Sequence, residues 1–367
     1  MKNRTRNLFA ALALLALSTL NHQLSTCFAQ GSLTPPGAPA PTMKSLDQIE
    51  PRTIVNAANT PGDSGSAFII SQPGSYYLTT NITVSSGSAI TITANNVTLD
   101  LNGFTISSTQ NPASGNSSYG IKVGSTSGVT NITIVHGFIS SGVTDNNGTF
   151  SGNGFSSGID YLSVAPINVR VSGVSVSGCL NYGIELNTAN NTVVESCTVN
   201  TVGAYGIIAG VVSDSTAQDI GLDGVYTYIA NNCTGIIVDS GGIGVSAKTA
   251  NNCYGYSLGN YSEGVSAFTA NNCYGYSLGN DGDGVFATTA NNCSGYAGSG
   301  GYGIYSTTAI GCYGSSNGTG LNAESAAFCT GANYTSGSSG TAISANIANG
   351  CTVDNGTESI SHKYNMP

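Results

Sequence analysis

The chain has 367 residues, of which 7% are charged: 9 Lys and Arg face 18 Asp and Glu, for a formal net charge of −9. Ordinary soluble domains carry about 25% charged residues. The sparse and acidic charge argues against nucleic acid and anionic membrane as partners, because both attract basic surfaces. It is compatible with neutral or cationic partners and with Ca²⁺, and equally with a surface kept soluble by Ser, Thr and Asn.

Residues 1–29 have the pattern of a secretory signal, with basic residues in the first six positions and an apolar run over 8–20. This run is shorter than the roughly 20 residues that a membrane-spanning helix needs. We therefore expect no membrane span, cleavage near Ala29, and a secreted or cell-surface protein. A lipid anchor on Cys27 is the alternative, which the Thr before that cysteine disfavours.

Residues 30–64 read as a Pro-rich tether followed by an N-terminal cap, with a short helix predicted over 43–49. A solenoid exposes open strand edges at its ends, so a cap is expected there. A β-helix is predicted over 65–360 and a C-terminal tail over 361–367.

Apolar and polar residues alternate with a period of two from Phe68 onward, for example in Ala89–Thr93 and Val97–Leu101. Period two predicts β-strands. Two Gly-, Asn- and Ser-rich stretches, 111–118 and 144–157, interrupt this rhythm and predict loops.

Four copies of one pattern dominate the second half of the chain, and a looser copy closes the series. Each of the four begins with Gly and ends with Asn-Asn-Cys, and the successive cysteines of all five copies are 20, 20, 20 and 19 residues apart. A period near 20 predicts a solenoid, in which each unit buries its apolar face only by stacking on the next. The copies are Gly224–Cys233, Gly244–Cys253, Gly264–Cys273, Gly284–Cys293 and Gly303–Cys312.

Within a copy, Val245, Ala247 and Thr249 alternate with polar residues, and Gly and Asn-Asn supply the turns. We therefore predict an all-β parallel β-helix with coils of about 20 residues, roughly 12 to 14 of them, stacked about 4.8 Å apart. Equivalent residues become ladders. The predicted ladders are Cys233, Cys253, Cys273, Cys293 and Cys312; Asn232, Asn252, Asn272 and Asn292; and Gly235, Gly255, Gly275, Gly295 and Gly314.

The cysteine ladder is predicted to be a buried column of free thiols. Of the ten cysteines, one lies in the leader, which leaves an odd number, nine. Stacked parallel side chains also lack the close, twisted geometry that a disulfide needs. A disulfide framework is the alternative for an exported chain, whereas no cysteine spacing typical of zinc sites occurs.

Three segments resemble the opening coils of secreted bacterial right-handed parallel β-helix repeat proteins of the pectin-lyase-like superfamily: Gly74–Leu78, Asn96–Gly103 and Asn131–Ile134. The segment 33–52 also looks like the leader of one such group. The resemblance implies a right-handed coil over nearly all of the mature chain. It does not imply one activity, because many members have no assigned reaction.

The enzymes of that superfamily imply two kinds of site. Lyases use acidic calcium ligands with an Arg or Lys base, yet Lys122, Arg170 and Lys248 stand in no lyase motif. Hydrolases use clustered aspartates with Gly-His-Gly, whereas His136 is followed by a single Gly here. We expect His136 to be a surface residue, and Asp100 and Asp160 to be structural carboxylates at turns.

One acidic group is predicted near the repeat glycines. Asp223, Glu263 and Asp283 each precede such a glycine, Ile243 interrupts the column, and Asp281 lies beside it. Carboxylates this close repel one another unless a cation or proton intervenes. Glu263, Asp281 and Asp283 are therefore candidate Ca²⁺ ligands. Solvated turn carboxylates are the alternative, and acid–base work on a glycosidic bond is a weaker one.

Five tyrosines follow the repeat cysteines by one or three positions, so they face outward if the cysteines face inward. A row of exposed rings could stack on sugar rings or mediate self-association. The alternative is that the rings stack on one another and stabilise the sheet. The candidate substrate-binding residues are Tyr254, Tyr256, Tyr274, Tyr276 and Tyr296.

Two functional classes are consistent with these observations. The first is a secreted, non-catalytic protein that binds polysaccharide or a cell-surface glycan, or that is structural at the cell surface. The second is a polysaccharide lyase, hydrolase or epimerase. The absence of a catalytic motif favours the first class, and Ca²⁺ is the one candidate cofactor.

Overall fold

The structure is a computed structural model that describes residues 50–112, 117–124, 127–161, 163–189, 191–238, 241–334 and 340–366. Contacts divide the chain into two units, Met1–Pro51 and Arg52–Pro367. The predicted leader, the tether and the helix over 43–49 lie outside the described residues. The β-strands of the described residues all belong to the second unit.

Every regular element of the described residues is a β-strand, as the period-two pattern predicts. The described residues contain no helix long and apolar enough to cross a membrane. In chain order the strands are β1 Thr53–Ile54, β2 Ser66–Ile70, β3 Gly74–Tyr77, β4 Ile82–Val84, β5 Ser88–Ile92, β6 Val97–Asp100, β7 Thr105–Ser108, β8 Tyr119–Val123, β9 Thr130–Ser140, β10 Gly142–Asn146, β11 Thr149–Asn153, β12 Ser157–Asp160, β13 Ile167–Cys179, β14 Tyr182–Glu185, β15 Thr192–Glu195, β16 Thr198–Val202, β17 Tyr205–Ser213, β18 Thr216–Ile220, β19 Val225–Asn231, β20 Thr234–Ile237, β21 Val245–Asn251, β22 Tyr254–Ser257, β23 Val265–Asn271, β24 Tyr274–Ser277, β25 Val285–Asn291, β26 Ser294–Ala297, β27 Tyr302–Ile310, β28 Tyr313–Ser316, β29 Thr319–Ala327, β30 Thr330–Asn333, β31 Thr341–Asn349, β32 Thr352–Asn355 and β33 Thr357–Tyr364.

The strands stack in three parallel columns, one strand of each column per turn. The first column runs through β2, β5, β8, β12 and β14, and the second through β1, β3, β6 and the first part of β9. The third begins with β4, β7 and the second part of β9. From β17 onward the first two columns share one long strand per turn. The result is a parallel β-solenoid of about 14 turns.

The register confirms the predicted repeat. Val245 pairs with Val265, and Val265 pairs with Val285, so one repeat of 20 residues is one turn. In one turn of the repeat, Val265, Ala270 and Cys273 are buried. The period-two pattern becomes an inside and an outside because equivalent residues of successive turns lie directly above one another.

The repeat glycines allow opposite walls of the coil to touch. A Cβ added to Gly255 would overlap the carbonyl group of Gly264, and one added to Gly275 would overlap that of Gly284. These glycines therefore serve a close approach between backbones rather than a special dihedral angle. They make the core narrow in this part of the solenoid.

Asparagines form the predicted turns and two ladders. Asn252 and Asn272 have φ of 53° and 52°, a left-handed conformation that Asn tolerates better than most residues. The preceding asparagines form the second ladder, in which Asn271 Nδ2 donates to Asn251 Oδ1 at 2.8 Å and Asn291 Nδ2 donates to Asn271 Oδ1 at 2.9 Å. Each amide thus joins two turns.

The cysteine ladder lies inside the coil, and the nine cysteines of the described residues are buried and unpaired. The Cys273 thiol donates to the carbonyl of Asn271 at 3.3 Å, and its amide donates to Cys293 Sγ at 3.5 Å. Ser215 occupies a place in the same ladder, since the amide of Cys197 donates to its Oγ at 3.1 Å. The positions of the cysteine ladder therefore accommodate small side chains with one hydrogen-bonding atom.

One stretch that the sequence predicts to be a loop forms a β-hairpin instead. Residues 142–153 form an antiparallel hairpin of β10 and β11, closed by Asp145 Oδ1, which accepts from the amide of Gly148 at 2.7 Å. Phe150 of this hairpin lies close to Gly203 and Gly221, so the hairpin folds back against the solenoid. The loop prediction over 144–157 failed there because strand pairing outweighs the low strand propensity of Gly and Asn.

Candidate functional site

The five candidate tyrosines lie on the outer surface of the third column. Tyr254 and Tyr274 are 5.6 Å apart between ring centroids, Tyr256 and Tyr276 are 5.3 Å apart, and Tyr276 and Tyr296 are 4.5 Å apart. Their interplanar angles are 9°, 4° and 11°, so each ring covers the face of its neighbour. We call these five residues the tyrosine stack.

The stacking determines what the tyrosine stack can offer to a ligand. Because neighbouring rings face one another, the rings within the stack offer less open face to a sugar, and sugar stacking needs an open face. The geometry is that of the structural alternative, in which cross-turn ring pairs stabilise the sheet. Glycan binding and self-association through these residues stay predictions.

In the acidic group that contains the candidate calcium ligands, Asp223 and Asp283 each accept a hydrogen bond from a backbone amide. Asp223 Oδ1 accepts from the amide of Ile243, and Asp283 Oδ1 accepts from the amide of Tyr302, both at 2.9 Å. Burial raises the pKa of Asp283 to about 6. These carboxylates hold one turn to the next.

The other two candidate ligands differ in environment. Burial, and then the charge of Asp283, raises the pKa of Glu263. Asp281 is exposed and adopts φ of 55°. Among the described residues, no group of three or more His, Cys, Asp or Glu side chains could hold a metal ion. Calcium binding by Glu263, Asp281 and Asp283 stays a prediction.

His136 and Asp100 belong to a small polar cluster on the second column. Asp100 accepts from Arg52 Nη1 at 2.9 Å and from the amide of Asn102 at 2.8 Å. His136 Nδ1 lies 3.5 Å from Asp100 Oδ1, and its side chain is exposed. The carboxylate ties two turns and a chain bend together, as expected for a structural residue.

A separate groove on the first column combines aromatic and polar side chains. It has a volume of about 390 Å³, within the range of ligand sites. Sequence reasoning did not predict it. Its lining residues are Tyr161, Tyr182, Glu185, Asn187, Thr188, Tyr205, Ile208 and Tyr226. We call this feature the tyrosine groove.

The rings of the tyrosine groove are arranged differently from the tyrosine stack. Tyr182 and Tyr205 are stacked, with centroids 5.8 Å apart and an interplanar angle of 13°. Tyr226 meets Tyr205 edge to face, at 65° and 6.4 Å, and is 43% exposed. The change of orientation leaves ring surface of Tyr226 open to a ligand.

Two carboxyl groups lie side by side at the tyrosine groove. Asp160 ends β12 and Glu185 ends β14, and the register of these strands places the two residues on adjacent turns. Asp160 is 6% exposed. Burial, then the charge of Glu185, raises the pKa of Asp160 to about 7, although Ser157 and the Tyr161 amide donate hydrogen bonds to it. Burial also raises the pKa of Glu185.

A braced bend forms one side of the tyrosine groove. Asn187 adopts φ of 75°, its Oδ1 accepts from the amide of Ala189 at 2.9 Å, and its carbonyl accepts from Thr192 Oγ1 at 2.6 Å. Its Nδ2 donates to the Tyr161 hydroxyl at 3.4 Å. The bend thus presents an amide and a phenol at fixed positions beside Glu185.

A pattern in the sequence could have indicated this groove. Ser157-Gly-Ile-Asp160 and Tyr182-Gly-Ile-Glu185 are copies of one motif, and Tyr205-Gly-Ile-Ile208 is a third. The motif aligns the residue before Gly and the residue after Ile on the outer face. Its copies are 25 and 23 residues apart, which is why the 20-residue period did not reveal them.

Comparison with protein-family models, with curated proteins and with solved structures found no match to this chain. The proposed function therefore rests on the fold and on the tyrosine groove.

Proposed function

We propose that this β-solenoid is a non-catalytic, exported protein that binds polysaccharide, and that the tyrosine groove is where a saccharide unit is held. The groove, rather than the tyrosine stack, carries the proposal. It combines an open ring surface at Tyr226 with polar groups at its side. Export rests on the signal pattern of residues 1–29.

The chemistry of the groove fits a sugar. Sugars present apolar C–H faces and many hydroxyl groups, so their sites combine aromatic rings with hydrogen-bonding side chains. Tyr226 supplies the ring, and Asn187, Thr188 and Glu185 supply donors and acceptors.

The proposal predicts that Tyr226→Ala weakens binding to an insoluble polysaccharide that retains the unchanged protein. Loss of a stacking ring should raise the dissociation constant about tenfold, which corresponds to roughly 1.4 kcal/mol. Depletion binding to a panel of neutral, uronic-acid and amino-sugar polysaccharides provides the measurement.

Tyr228→Ala is the matched control, because Tyr228 is an exposed tyrosine of the same strand that does not line the groove. Equal binding by the Tyr226 variant and the unchanged protein would contradict the groove as the binding site. Retention by no polysaccharide would contradict the function itself.

The carboxyl pair favours one second candidate, glycosidic bond hydrolysis. A protonated carboxyl next to an ionised one is the pair that general acid–base cleavage uses. Asp160, with its pKa raised to about 7, would supply the acid, and Glu185 on the adjacent turn would supply the base or nucleophile. New reducing ends in the polysaccharide panel would decide for this candidate.

A further inference from the structure

The electrostatic surroundings of the tyrosine groove are negative over several turns. Glu185 lines the groove, and Asp223 acts electrostatically on Tyr205. Asp160, on the preceding turn, adds negative charge only where the pH exceeds its pKa of about 7. No basic side chain is found among the described residues that line the groove. A ligand entering here therefore meets excess negative charge.

Glu185 has no compensating partner within the described part of the chain. Its carboxylate makes no ion pair and no side-chain hydrogen bond there, although it is half-buried. By contrast, Glu195 accepts from Arg170 Nε at 2.9 Å on the second column. A half-buried carboxylate without a partner favours a ligand that brings a positive charge.

A lysine on the same column, Lys122, is directed elsewhere. Lys122 pairs with Asp160 in register, but its Nζ lies 5.9 Å from the centroid of the Tyr119 ring, and no ion pair joins it to Asp160 among the described residues. It is not a lining residue of the groove. The charge of Glu185 is therefore left for a ligand to neutralise.

We infer that the tyrosine groove selects a cationic saccharide, one built of 2-amino-2-deoxyhexose units, over neutral and uronic-acid saccharides. The inference rests on the proposed function, since it names the substrate class of the same groove. The sugar ammonium would donate to the Glu185 carboxylate and lie beside the Tyr205 and Tyr226 rings, whose faces attract cations. A uronate carboxylate would be repelled by the Glu185 carboxylate.

The test compares three soluble oligosaccharides of equal length by isothermal titration calorimetry: a glucosamine oligomer, its fully N-acetylated counterpart and an oligogalacturonate. The titrations are run on the acidic side of neutrality, because ring oxygens make a sugar amine less basic than a peptide α-amino group, whose pKa is about 7.7–8.0. We expect the glucosamine oligomer to bind about tenfold more tightly than the N-acetylated one, and the oligogalacturonate to bind most weakly. Raising the ionic strength should reduce this preference, because salt screens exposed charges.

Glu185→Gln should bring the amine and N-acetyl oligomers to within about threefold of each other, because it removes the charge and keeps the shape. Glu324→Gln, an exposed glutamate in another part of the same sheet face, should leave the preference unchanged. Equal binding of the two oligomers by the unchanged protein would overturn the inference and leave the proposed function standing. So would a preference that survives Glu185→Gln. Binding of none of the three oligomers, together with failure on the polysaccharide panel, would overturn both.

Discussion

At position 160 a carboxyl group is buried on the outer side of a strand. It is covered by its neighbours on adjacent turns rather than by the core, because β12 lies between β8 and β14. Desolvation disfavours its charged form, and the nearby Glu185 disfavours it further. In the folded protein the Asp160 carboxyl is therefore mostly protonated below about pH 7.

This environment predicts that folding stability falls as the pH rises toward neutrality. A carboxyl whose pKa rises from 3.8 to about 7 on folding stabilises fully below pH 3.8 and loses that contribution as the pH passes about 7. At about 1.4 kcal/mol per pKa unit, the contribution is on the order of 4 kcal/mol. Asp160→Asn should therefore flatten the dependence of the unfolding free energy on pH between about 4 and 8.

Urea denaturation at several pH values measures this effect, and Asp214→Asn, at an exposed aspartate, is the control. An unchanged pH dependence in Asp160→Asn would show that the group is already ionised in the folded protein. Because Glu185, Tyr119 and Tyr182 are electrostatically coupled to Asp160, Glu185→Gln should lower its pKa and shift the loss of stability toward lower pH.

A single turn of the repeat is closed by a backbone contact rather than by side chains. Gly255, Gly275 and Gly295 each face a glycine of the following turn at a separation that leaves no room for a Cβ. The alternating tyrosines on either side of these glycines consequently face outward, where they stack. The narrow core and the tyrosine stack are therefore two consequences of one glycine column.

Gly275→Ala should destabilise the solenoid by about 2–3 kcal/mol or more, because the added methyl overlaps the carbonyl group of Gly284 and the walls must separate. Gly65→Ala is the control, since the nearest atom to its Cβ, an Asp63 oxygen, is at an ordinary 3.5 Å. The midpoint of urea unfolding distinguishes the two. Equal stability of the Gly275 and Gly65 variants would contradict the close approach.

Over the whole molecule, the turns behave as interchangeable layers wherever the repeat is regular. Val265 and Val285 have equivalent partners above and below, and so do Asn271 and Asn291. Stability in such an array is approximately a sum over turns and their interfaces. The protein should therefore tolerate the loss of one complete turn.

Deletion of residues 264–283 places Gly284 directly after Glu263, where Gly264 stands in the unchanged chain. We expect this variant to keep its β-sheet circular dichroism spectrum and to unfold cooperatively at a lower urea concentration. Deletion of residues 264–273 alone should prevent folding, because it moves buried residues out of register with the next turn. A folded short deletion would show that register does not govern the array.

The sequence by itself determined the repeat, the strand direction and the inside of each turn. Val245, Asn252 and Cys253 recur at one spacing, and in-register stacking carries that local pattern through the array, so a period and an alternation suffice. The same reasoning predicted the burial of the cysteine ladder and the turns at the repeat asparagines, both of which the structure confirms.

Only the tertiary structure decided where a ligand site could form and what the aromatic rings can do. Asp160 and Glu185 are 25 residues apart, and Tyr226 follows Ile208 by 18, so turns of unequal length had to be closed before these residues became neighbours. The sequence predicted that the tyrosines of the stack lie outside, but it did not predict the orientation of their rings. That orientation depends on the space that the rings of adjacent turns leave to one another, which is a property of the packed array and not of the repeat.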